Sequence, residues 1–208
     1  RNLPFIRRAR QVLLWLHILS SVSWMSQAVA LTVLLAQGTS SGSEAAHLLD
    51  RTVLVASANT SAASGFLLCA TTPYGFFVHW WVAVKFAITA AQLAVGIAVL
   101  SPSLNSAGDD PSTALIAGTI VMASMIALQG LLSVVKPWGR VRGRGVVRAP
   151  VPRESIVLLA PCALLADVAI FAMTGQPIPA FGLLALLTAL CSRTAVSRNS
   201  TSTAVRPP

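Results

Sequence analysis

The stretch LHILSSVSWMSQAVALTVLL, residues 16–35, decides how this chain folds. Its aliphatic content suits hydrocarbon, yet His17, Ser20, Ser21, Ser23, Trp24 and Gln27 interrupt it. His17, Ser20, Ser21, Trp24, Gln27 and Ala28 recur at spacings of three and four, which puts them on one face of a helix. Lipid offers no partner to an imidazole or a carboxamide, so that face is expected to look into a bundle of other helices.

The rest of the chain supplies those helices. It has 208 residues, of which 55% are apolar and 10% charged, with a mean hydropathy of +0.74, values outside the range of a water-soluble domain. Apolar runs recur at 12–36, 53–70, 78–100, 113–135 and 156–173, each near the roughly 17–25 residues that cross a bilayer core as a helix. A sixth run, 178–191, is short and reads as a thin span or a re-entrant piece. The expected fold is all-α, a polytopic transmembrane bundle of about six helices forming one domain over 1–192. Residues 193–208, rich in Ser, Thr and Pro, read as a disordered tail. The first run is too long for the roughly 7–15-residue core of a signal peptide and reads as a retained helix. GSEAAHLLDR (42–51) reads as an amphipathic turn in an outer loop, SPSLNSAGDDPS (101–112) as a connection, and TTPYG (71–75) as a tight turn.

The net charge of +9 does not point to nucleic acid, because the basic residues sort by loop. With a cytoplasmic N-terminus, Arg1, Arg7, Arg8, Arg10, Lys136, Arg140, Arg142, Arg144, Arg148, Arg153, Arg193, Arg198 and Arg206 all fall on the cytoplasmic side. Glu44, Asp50, Asp109 and Asp110 fall in the outer loops. Both termini are therefore expected inside, in a bacterial cytoplasmic membrane. KPWGRVRGRG (136–145) reads as a positive-inside anchor, or as a seat for an anionic lipid head group. Cys69, Cys162 and Cys191 have no metal-type spacing, and neither a metal site nor a disulfide framework is expected.

A helical rise of about 1.5 Å per residue places the remaining polar groups by depth. Gln27, Asn59, Gln92 and Asp167 fall in the outer half of the membrane; His17, His79, Lys85 and Gln129 fall in the inner half. Asp167, in LLAPCALLADVAIFAM (158–173), is the acid predicted inside hydrocarbon. An ionised carboxylate there is costly, so the group is expected neutral and able to donate a proton, which makes it a functional candidate. The competing reading is helix glue, a hydrogen bond to a neighbouring amide or backbone group. Lys85 lies close enough to the inner end to snorkel. Trp24, Phe66, Phe86 and Phe171 are candidates to wall a cavity, or plain packing.

LHILSSVSWMSQAV (16–29), the second helix opening at Asp50-Arg51-Thr52 and reaching Gly65, and HWWVAVKFAITAAQLAVGIAVL (79–100) together carry a resemblance over roughly the first 140 residues. They resemble small polytopic bacterial proteins of the copper-resistance-D-like and membrane protoporphyrinogen-oxidase-like group. That resemblance implies haem b on His17; His79, which also falls near the inner face, is the candidate for a second ligand. The architecture is also similar, more loosely, to integral membrane terpene cyclases. That similarity implies no cofactor, a lipophilic isoprenoid substrate drawn from membrane lipid, and protonation by Asp167 to start cyclisation. Trp24, Gln27, Asn59, Gln92 and Phe171 would bind the substrate, and Trp24 would stabilise a carbocation by about 0.5–2 kcal/mol. A transporter or accessory subunit is the non-catalytic reading.

Overall fold

The computed structural model describes residues 3–72, 75–107, 110–139, 141, 154–175 and 180–203, with side chains from residue 4 to residue 192. It is mostly helical over these stretches, and its α-helices are α1 (Leu3–Ala36), α2 (Ser40–Leu49), α3 (Val55–Thr71), α4 (Trp80–Val95), α5 (Ser101–Ser106), α6 (Thr113–Val135), α7 (Glu154–Thr174) and α8 (Ala180–Thr203). Five helical stretches are long and apolar enough to cross a membrane, and Ala180–Ser192 is a shorter apolar one. The chain is thus a multi-pass all-α bundle, as expected.

Two of the spans are longer than the hydropathy suggested. α2 joins α3 through a π-helical turn, Asp50–Leu54, and α4 joins α5 through a second, Gly96–Leu100. The results are continuous helices Ser40–Thr71 and Trp80–Ser106. The cause lies in the sequence: Thr39 caps the first by accepting from the Gly42 N–H, and no Gly or Pro follows from Ser43 to Ser64. Asp50 and the GSEAAHLLDR segment, expected in an outer loop, therefore belong to a helix. Likewise α8 is helical to Thr203, past the boundary at residue 192 expected to begin a disordered tail. No Gly or Pro interrupts 183–203.

α1 is the hub, touching α2, α3, α6 and α7. Its contact with α3 is close because α3 offers small residues, with Ser57, Ala58, Ser61, Ala62 and Ser64 all buried. Three apolar clusters follow its length: Leu13 with Leu67, Ala160 and Leu164; Trp24 with Ala28, Ala58, Met122 and Ile126; and Leu31 and Leu35 with Ala46, Leu104 and Leu115. One end of the bundle gathers the starts of α1 and α4 with the ends of α3 and α6. Arg10 donates to the Thr71 carbonyl at 3.0 Å. The segment after α6 pairs with the one before α4 through Trp80 N–H to Gly139 O and Val141 N–H to Val78 O. We refer to this as the basic end. α6 stops there because Lys136 adopts a left-handed conformation and Pro137 follows.

Candidate functional site

A cavity of about 210 Å³ runs between α1, α3, α4, α5 and α6, away from the basic end. Trp24, Ala58, Gln92 and Met122 close it at mid-bundle, and Leu31, Leu35, Leu54, Leu104 and Leu115 form its apolar body. Asp50 and Ser101 form its polar pole. Counting along α1 from Trp24 to Leu35 at about 1.5 Å per residue, it is roughly 16 Å long. Both π-helical turns supply its wall, through Asp50 and Leu54 on one side and Gly96, Ile97 and Leu100 on the other. Such turns insert one extra residue into a helix and recur at functional sites.

Asp50 is buried at 9% exposure. Its Oδ2 accepts from Ser101 Oγ at 2.9 Å, while the neighbouring cation Arg51 is exposed and donates to Asn105 Oδ1. The hydropathy reading missed Asp50 because it began the span at residue 53. The signal that finds it is the Thr39 cap with an unbroken run of helix-compatible residues after it.

Asp167 stands elsewhere. No residue of α7 or α8 lines the cavity. Its Oδ1 accepts from the Phe181 N–H at 2.9 Å and its Oδ2 from the Gly182 N–H at 2.6 Å, so it caps the start of α8. A helix N-terminus among other helices presents unsatisfied N–H groups and a positive dipole end, and a carboxylate answers both. The helix-glue reading thus describes Asp167, with backbone N–H groups as its partners. Gly182 is the residue that fits there, since an added Cβ would lie 2.9 Å from Asp167 Oδ2.

Of the other expected substrate contacts, Trp24, Asn59 and Gln92 line the cavity, whereas Gln27 and Phe171 do not. Gln27 is half-buried on α1, and Phe171 sits on α7. Phe66 and Phe86 pack with each other at 5.2 Å, and with Phe76, as an aromatic cluster beside the basic end. The division into an outer and an inner polar layer also fails, because Gln129 Nε2 donates directly to Gln92 Oε1. α4 starts closer to the basic end than α6 stops, as the bonds Lys85 to Ser133 and Thr89 to Gln129 require. Counting both helices from a shared plane therefore misplaced their residues. Lys85 donates to Ser133 Oγ on α6 instead of snorkelling.

His17 belongs to a separate network between α1 and α3. Its Nδ1 lies 3.0 Å from the Ser61 carbonyl and 3.1 Å from Ser64 Oγ. A carbonyl only accepts, so Nδ1 carries the proton and Nε2 the lone pair. Ser21 and Ser61 share a 2.7 Å hydroxyl contact one turn along. Gly65 makes room for the imidazole, since a Cβ there would meet Cε1 at 3.0 Å. His79 precedes α4 and stacks near Trp81 at 6.3 Å. Neither histidine lines the cavity, and among the described residues no group of three His, Cys, Asp or Glu side chains gathers to hold a metal ion. No protein-family model, curated protein or solved structure matches the chain.

Proposed function

We propose that the chain is a membrane-embedded enzyme that admits a slender lipophilic molecule of the isoprenoid class from the bilayer and protonates it from Asp50. The observation that carries this reading is a buried carboxyl, the one charged side chain among the described residues on the wall of a mostly apolar cavity, with a hydroxyl as its hydrogen-bond partner. A carboxylic acid held against such a wall is positioned to act as a general acid. The proton passes to an alkene carbon or an epoxide oxygen, the resulting cation closes a ring or rearranges, and loss of a proton from carbon returns Asp50 to its starting state. Ser101 orients the carboxyl. The volume, at about 210 Å³, falls below the roughly 300–1,000 Å³ of drug-sized pockets and favours a single chain. His17 and His79, the expected haem b ligands, do not line this cavity, so the reaction proposed here makes no use of them. In a bacterial cytoplasmic membrane with the basic end inside, Asp50 would lie toward the outer leaflet.

The test is conversion of geraniol, farnesol and their terminal epoxides by the purified protein in lipid nanodiscs, read by mass spectrometry of the products. A positioned general acid contributes about 10²–10⁴-fold. Asp50→Asn is therefore expected to lose at least about 100-fold in turnover, and Asp167→Asn to retain it where the fold survives. Undiminished turnover by Asp50→Asn, or no conversion of any of these compounds by the wild type, overturns the reading.

A further inference from the structure

The cavity is asymmetric along its length. At mid-bundle Gln92 uses its hydrogen-bonding groups within the protein: Nε2 donates to the Met122 carbonyl at 3.0 Å and lies 3.2 Å from Met122 Sδ, while Oε1 accepts from Gln129. The Met122 carbonyl only accepts, which fixes the direction of the Gln92 amide. Thr89 Oγ1 then donates to Gln129 Oε1 at 2.8 Å and closes the network. The amide of Gln92 is thus used within the protein, and no charged side chain among the described residues lines that end of the cavity. At the other end Asp50 has Ser101 Oγ as its partner, and Arg51, its neighbour in sequence, turns out to Asn105. A buried carboxylate is stabilised by a cation held against it, and a hydroxyl supplies no charge.

We infer that the cavity selects lipophilic ammonium ions, with the cationic head at Asp50 and Ser101 and an alkyl body lying along Leu31, Leu54 and Leu104 toward Trp24. This ligand class uses the ionised carboxylate, the state in which Asp50 is left once it has given its proton to a substrate, so it rests on the same cavity as the proposed reaction but not on turnover. A neutral chain of equal length gains the apolar contacts and leaves the carboxyl unpaired, so charge is what distinguishes the two.

The experiment compares decylammonium with decanol on the full chain in nanodiscs of phosphatidylcholine, which carries no net charge to concentrate the cation. Dicyclohexylcarbodiimide labels carboxyls in apolar surroundings, and mass spectrometry of the Asp50 peptide reads protection. Decylammonium is expected to protect Asp50 at a concentration at least about tenfold lower than decanol, a difference of about 1.4 kcal/mol. Binding to Asp50→Asn, followed by native mass spectrometry, is expected to lose that preference. Equal protection by the two compounds, or a preference that survives in Asp50→Asn, overturns the proposal. Should Asp50→Asn not fold, the wild-type comparison decides alone. A protein with the preference but no prenyl conversion loses the reaction and keeps the ligand class; one with conversion but no preference does the reverse.

Discussion

Asp167 and Asp50 are equally buried, at 9% exposure, and differ in what reaches their oxygens. Two backbone N–H groups occupy Asp167, whereas one hydroxyl occupies Asp50. The first arrangement spends the acid on structure and the second leaves it available to a ligand. Removing a capping side chain typically costs about 0.5–2 kcal/mol. Asp167→Ala is expected to lower the melting temperature in detergent while leaving carbodiimide labelling of Asp50 unchanged. Gly182→Ala is expected to do the same, because its Cβ displaces the carboxylate from the N–H groups it serves. A melting temperature unchanged in both variants would show that α8 does not depend on its cap. The burial of Asp167 was legible in the sequence, since it sits amid apolar residues. Its partners were not, because the N–H groups of Phe181 and Gly182 lie 14 and 15 residues on in sequence and meet the carboxyl only in the folded chain.

At the scale of elements, the two π-helical turns shape the cavity. Each adds one residue to a helix, and one residue is about 100° of rotation for everything beyond it. The extra residue in Gly96–Leu100 turns Ser101 to face Asp50 across the cavity mouth. Deleting Ile97, which is exposed at 73%, is expected to restore regular α-helical register and swing Ser101 away from Asp50. The readout is faster carbodiimide labelling of Asp50 together with weaker ammonium protection. Labelling and protection at wild-type levels would mean that the turn does not set this contact. Hydropathy detected both helices but began one too late and ended the other too early, because it scores composition and not the continuity of the backbone. The cap at Thr39 and the gap between Gly42 and Gly65 carried the missing information.

The whole molecule is arranged around α1, whose polar face was the first feature to be read. His17, Ser21, Trp24 and Ala28 on that face all contact other helices, as the absence of partners in lipid demands. The sorting of basic residues predicts that the basic end is cytoplasmic. A reporter fused after the last residue is accordingly expected to fluoresce as a cytoplasmic fluorescent protein and to be silent as a periplasmic phosphatase; the opposite pattern would reverse the bundle. Alone, the order of residues was enough to establish the membrane class, the number of long spans, the inward face of α1 and the short sixth apolar stretch, because each follows from local composition and periodicity. Which acid faces a cavity and which caps a helix, and that Gln92 meets Gln129, were decided by packing. Those facts depend on the relative heights and rotations of helices far apart in sequence, which hydropathy does not encode.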